Sequence, residues 1–183
     1  GVELTDNEAY LARQCFFKAY PCIAAWQKAM RTLAASGGTI STPAGRVAWH
    51  LKAAFHDASK GPGMLESAAI RRIEREAMNF PIQGGAAEVM LACLDCLRVH
   101  LGSLLHGDHS AMASSSKAPA CMLVCVVHDE FLLECKDENT ADAVARALRR
   151  AMQEAWQQIF PKAPPLGERG ASITVGRNWA ELK

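Results

Sequence analysis

The densest group of reactive side chains is His128-Asp129-Glu130, an imidazole followed by two carboxylates. It stands between two apolar runs, Ala120 to Val127 and Phe131 to Cys135. Short runs rich in Val, Leu and Phe favour strands, and a tight polar step between two of them predicts a β-hairpin with charge at its tip. The arms alternate little, so the sheet is expected to be covered on one face and partly on the other. Two adjacent carboxylates in an apolar frame are costly to bury without a partner. A divalent cation would offset that charge, whereas a solvated turn, where Asp is common, would leave nothing to offset. Both readings stand on this pattern alone.

A second group lies upstream, in the stretch Arg75-Glu-Ala-Met-Asn79-Phe-Pro-Ile-Gln83-Gly-Gly-Ala-Ala. Arg75 and Asn79 are four residues apart and share a helix face. Pro81 is expected to break the helix, with Gln83 opening the next, so three hydrogen-bonding side chains converge near one break. The plainer alternative is that Asn79 and Gln83 cap helix ends. Cys93, Asp95, Cys96 and His100 form a third group on one helical face. A structural zinc site needs two separated ligand pairs, so these cysteines read as core. His106 and His109, taken with His128-Asp129, raise the dyad of metal-dependent phosphohydrolases. Such dyads sit on helices, and the flanks here favour strands.

Several elements must position these groups. Thr5-Asp6-Asn7-Glu8 is a capping box that opens a helix. Ala9, Ala12, Phe16, Ala19, Ile23, Trp26, Met30 and Leu33 recur at helical spacing, with a kink or helix junction expected at Pro21. Gly37-Gly38 ends this element. Thr39 to Thr42 and Arg46 to Trp49 read as short strands joined by Pro43-Ala44-Gly45, and His56 to Gly63 as loop. One helix is expected from Leu65 to Phe80, another from Gly84 to Leu105, and a loop from His106 to Pro119. Asp137 or Asn139 caps an amphipathic helix with a stripe of Ala141, Val144, Ala145, Leu148, Met152, Ala155 and Ile159. A Pro/Gly linker, a last strand from Ala171 to Val175, and Trp179 packed against the body complete the chain.

The 183 residues are half hydrophobic, enough for a sizeable core in one ordinary domain. Lys plus Arg is 20 against 19 for Asp plus Glu, so no overall basic field draws in nucleic acid, and any such contact must be local. No apolar run near the length of a membrane span and no secretory signal are expected. Seven scattered cysteines suggest buried thiols in a reducing compartment, read as cytoplasmic, with an organelle as the other possibility.

The ordered pair Arg-x-x-x-Asn-x-Pro-x-Gln-Gly-x-Ala-Ala and Val-His-Asp-Glu resembles the late signature of family A DNA polymerases. The likeness covers nearly the whole chain: Thr39 to Trp49 is similar to the family's hairpin before that helix, and Val175-Gly176-x-Asn178-Trp179 to its extreme C-terminus. The resemblance implies an α+β fold, an incomplete polymerase in which an antiparallel palm-type sheet carries a catalytic hairpin and packs against several helices. Residues 1–80 would be rear fingers helices with a connecting hairpin, and 81–183 the palm part, with the catalytic hairpin at 120–135. It implies that Asp129 helps bind two catalytic magnesium ions, that Glu130 is a neighbouring carboxylate of lesser role, and that His128 lies by the primer end. Arg75, Asn79 and Gln83 match positions that touch the primer–template minor groove or its sugars.

The implied activity is template-directed DNA synthesis from deoxynucleoside triphosphates by a two-metal mechanism. The family's other metal-binding Asp and its nucleotide-gripping fingers helix lie in segments before the one matched here. The chain is therefore expected to be a split subunit or an excised part, inactive without the front half, which would be its partner. The alternative is a non-catalytic, duplex-binding polymerase relic.

Overall fold

The structure, a computed structural model, describes residues 4–58, 67–105, 119–167 and 170–182. Among these residues, five α-helices and one hairpin follow in the order α1 (Asp6–Ala19), α2 (Pro21–Ala35), α3 (Trp49–Ala58), α4 (Ser67–Leu105), β1 (Cys121–Val127), β2 (Glu130–Cys135) and α5 (Glu138–Ile159). The chain divides into two compact units, Gly1–Gly84 and Gly85–Lys183, with α4 contributing to both. The architecture is mixed helix and strand, as an α+β reading requires.

In the first unit, Thr5 caps α1 as the sequence predicts. Its backbone N–H donates to the Glu8 carboxylate at 2.8 Å, and its hydroxyl accepts from the Glu8 N–H at 3.4 Å. Pro21 stands at the first position of α2, where a missing N–H costs nothing, so the expected interruption is a junction of two helices. The apolar stripe predicted along α1 is not buried: none of its residues is, and Phe16 is 45% exposed. α1 packs on α2, and most of its surface is left to solvent.

The strands predicted at 39–49 reduce to one bridge, Ser41 to Val47. Thr42 N–H donates to the Arg46 carbonyl at 2.9 Å and Ala48 N–H to that of Ile40 at 2.9 Å, so the chain still reverses tightly. Gly45, at φ +92°, takes a backbone conformation that few L-residues tolerate. Trp49 opens α3, which also takes His56 to Ala58 from the predicted loop; residues 59–63 lie outside the described residues. Ala34, Ile40, Ala48, Leu51, Ile73 and Ala77 form this unit's core, with Phe55 and Phe80 packed against it.

Pro81 does not break the helix. It lies inside α4, which runs unbroken from Ser67 to Leu105. Proline gives the Ala77 carbonyl no N–H partner and costs about 3 kcal/mol in a helix interior. Burial on both sides of it offsets that cost: Ile73 and Ala77 before, and Val89, Cys93, Leu97 and Leu101 after. Each large apolar side chain removed from water contributes about 1.5–3 kcal/mol. Local propensity therefore loses to tertiary packing. The segment Ala68–Gly102 is also long and apolar enough by composition to cross a membrane, with a window of mean hydropathy 1.2, contrary to the sequence expectation. Part of that apolarity builds these cores, while Ile82, Leu91 and Val99 are exposed.

In the second unit, β1 and β2 pair antiparallel from Cys121–Cys135 at the base to Val127–Glu130 at the tip. A bulge at Val124 shifts the register between Leu123 and Cys125. Cys121, Leu123 and Cys125 turn toward the covered side, while Met122, Val124 and Val126 are 52%, 48% and 41% exposed. β1 is thus covered on one side, by α5 and by the α4 residues that share its core, and alternates more than its composition suggests. Asp137 caps α5, accepting from Thr140 N–H at 2.8 Å. Val144, Ala151 and Ala155 of α5 join Val89, Cys93, Cys96, Leu97, Leu101 and Cys121 in the core.

The predicted last strand at 171–175 is absent, because this segment pairs with no other strand among the described residues. Trp179 begins a 3₁₀ turn, Trp179–Leu182, and is 56% exposed rather than packed down. The predicted loop at 106–119 lies outside the described residues up to 118, and His106 and His109 with it.

Candidate functional site

The hairpin turn consists of His128 and Asp129, between the paired residues Val127 and Glu130. His128 has φ +53°, the left-handed conformation that a two-residue turn needs to match the twist of its strands. It is the non-glycine residue with positive φ among those described. A strained non-glycine residue at a tip is a common companion of function, since a glycine there would be cheaper. His128, Asp129 and Glu130 are all exposed, and their side chains make no hydrogen bond or ion pair with another described residue.

The carboxylates are therefore solvated. Their charge needs no ion to offset it, and the hairpin arms pair with each other and pack on α5. The donor set still suits a hard cation: two neighbouring carboxylates, open to solvent, offer oxygen ligands and leave room for others. Among the described residues no three or more His, Cys, Asp or Glu are arranged so that together they could hold a metal ion. Asp129 and Glu130 would thus supply part of a coordination shell, completed by other oxygens.

Arg75, Asn79 and Gln83 fall at i, i+4 and i+8 of one continuous helix, and all three are exposed. The break predicted between them does not exist, so neither Asn79 nor Gln83 caps a helix end. Their side chains make no hydrogen bond to another described residue. Along the other side of the same turns, Ile73, Ala77, Phe80 and Gly84 face the 40–48 hairpin. Arg72, by contrast, is taken up by Glu76 at 2.8 Å. Arg46 donates to the Gly84 carbonyl at 3.4 Å and lies 5.9 Å from the Phe80 ring centroid.

Cys93 and Cys96 are buried in the core, and burial pushes the Cys93 thiol up to about 12. His100 Nε2 lies 2.7 Å from Glu154 Oε2, joining α4 to α5 inside the second unit. That contact, with Arg150 at 2.9 Å, holds the Glu154 carboxyl below its ordinary range. His100 and Glu154 are 54 residues apart, and no local signal pairs them.

These features sit in a chain that matches the family described as DNA polymerase family A over residues 1–181. The chain belongs to the family A DNA polymerases. It is 27% identical over 183 residues to a thermostable DNA polymerase I of Thermus filiformis, matching all of this chain and 18% of that protein. It is 28% identical over 181 residues to DNA polymerase I of Pseudomonas aeruginosa, covering 99% of this chain and 16% of the relative. DNA polymerase theta of Caenorhabditis elegans is 26% identical over 182 residues, with all of this chain and 9% of that protein covered. The chain thus spans less than a fifth of the length of these relatives. No solved structure matches it.

Proposed function

We propose that this chain is the C-terminal working part of a family A DNA polymerase and takes part in template-directed DNA synthesis. Residues 1–80 are the rear fingers and connecting hairpin, and 81–183 the palm part. The observation that carries this reading is an exposed carboxylate pair at the tip of an apolar hairpin, within a chain that matches the polymerase family along nearly its whole length.

Asp129, with Glu130 in a lesser role, contributes oxygen ligands to two magnesium ions, the remaining ligands coming from residues outside this chain. When bound, the ions supply charge stabilisation for the attacking 3′ oxygen and the leaving pyrophosphate oxygen. His128, held by its left-handed turn, is set beside the primer end. Arg75, Asn79 and Gln83 present N–H donors to the minor groove, where every Watson–Crick pair shows acceptors at purine N3 and pyrimidine O2. Such donors accept any correct pair and report its shape, which suits an enzyme that must copy every sequence. The substrates are primer–template DNA and deoxynucleoside triphosphates, and the setting is the cytoplasm.

The front half, as a separate chain or as the missing region, is the partner. Two features support it. A two-stranded hairpin is marginal by itself. Its outer face, with Met122, Val124 and Val126, exposes apolar surface that a further segment would cover. An apolar contact of obligate type is expected there.

Asp129→Ala in the complex of this chain with the front half tests the reading. Synthesis should be abolished while duplex binding stays nearly intact. Activity that survives would refute the metal-binding role. A complex that binds duplex and never extends a primer, with Asp129 intact, would make the chain a binding relic.

A further inference from the structure

Gly84 is buried against the 40–48 hairpin. A Cβ at Gly84 would lie 2.4 Å from Thr42 Cγ2, about 1 Å inside ordinary carbon–carbon contact. Thr42 is 4% exposed and fully engaged. Its Oγ1 accepts from Arg46 N–H at 3.0 Å, its N–H donates to the Arg46 carbonyl at 2.9 Å, and its carbonyl accepts from Gly45 N–H at 2.9 Å. Turning its methyl away about χ1 would move Oγ1 as well and lose the bond from Arg46 N–H. Ile73, Ala77, Phe80 and Gly84 follow i, i+4, i+7, i+11 spacing, a single helix stripe. Arg75, Asn79 and Gln83 lie off that stripe and are exposed. Arg46 reaches Phe80 and the Gly84 carbonyl, on either side of Pro81, where the helix lacks one backbone bond.

Resting on the reading of Gln83 as a duplex contact, we propose that Thr42 and Gly84 form a seat that fixes the rotation and height of α4. Thr42 is then a positioning residue for Gln83, the donor directly before Gly84. A side chain at position 84 lifts this turn from the hairpin by about 1 Å, a displacement large enough to spoil a directed contact. The hairpin thereby sets the aim of the minor-groove face without touching DNA.

The experiment is a size swap in the 183-residue chain: Gly84→Ala, Thr42→Ser, the two together, Gln83→Ala, and Gln83→Ala with Gly84→Ala. Thr42→Ser deletes the methyl that a new Cβ at position 84 would strike and keeps the hydroxyl that accepts from Arg46. Duplex affinity is read by fluorescence anisotropy, and the side-chain amide signals of Gln83 and Asn79 by NMR. Gly84→Ala should weaken binding about tenfold, as Gln83→Ala does, and the two losses should not multiply. Adding Thr42→Ser should bring affinity back to within about twofold of wild type and return the Gln83 signal to its place. Wild-type affinity in Gly84→Ala, multiplied losses, or no rescue by Thr42→Ser would overturn the proposal. Unchanged affinity in Gln83→Ala would overturn the duplex reading. The Gln83 signal then decides the seat by itself, because a seat requires displacement by Gly84→Ala and return with Thr42→Ser.

Discussion

Replacing Pro81 by alanine should stabilise the protein. Pro81 sits in the interior of α4, between Phe80, which packs on the first unit's core, and Gly84, which seats on Thr42. An interior proline is about 3 kcal/mol less favourable than alanine, a figure that includes the lost bond to the residue four before, here Ala77. Two terms reduce the gain. Proline restricts the unfolded chain, worth about 0.4–1 kcal/mol, and the native helix has already adapted to the ring. The net expectation is about 2 kcal/mol of added stability, or roughly 4–8 °C in Tm for a chain of this size. Urea unfolding followed by circular dichroism measures it, with wild type and Pro81→Ala compared at equal concentration. A variant equal to or less stable than wild type would refute the reasoning. It would mean that the local geometry imposed by proline is required for Phe80 and Gly84 to reach the hairpin together.

Two further outcomes are expected. Glu154 is held below the usual carboxylate range by His100 first and Arg150 second, so the unfolded chain binds more protons in acid. Its contribution is complete above the unfolded value of about 4.3 and is lost as pH falls through the lower folded value. Glu154→Gln should therefore lower the urea midpoint at about pH 6.5 and leave it almost unchanged below about pH 3; equal losses at both would contradict the linkage. Thiol alkylation should reach Cys15 and Cys22 first, since both are exposed, whereas burial pushes Cys93 and Cys121 up to about 12. Peptide mapping after brief iodoacetamide treatment checks the order, and early labelling of Cys93 or Cys121 would contradict the buried core.

Local chemistry made part of this legible. The capping box at Thr5, the junction at Pro21, the hairpin at 121–135 and the stripe of α5 each depend on residues within a few positions of one another. The reading failed where distant contacts decide. Pro81 looks like a break until the burial on both sides of it is seen. Ala171 to Val175 has strand composition and, among the described residues, no strand to pair with. The α1 stripe reads as core, yet none of its α1 residues is buried. At the site, His128-Asp129-Glu130 announced a charged tip, but its positive φ at His128 and its exposure are properties of the folded turn. The face of Arg75, Asn79 and Gln83 came through despite the wrong break, because a spacing of four survives either way. The seat of Gly84 on Thr42 joins segments about 40 residues apart, and the glycine is its one sequence trace.

On the proposed function, this chain works as the rear part of a polymerase and needs a front half to extend a primer. Primer extension with the purified 183-residue chain, with the front half, and with the two mixed tests it most directly. Synthesis in the mixture alone, dependent on magnesium and on Asp129, is the predicted result. Robust extension by the 183-residue chain alone would contradict it.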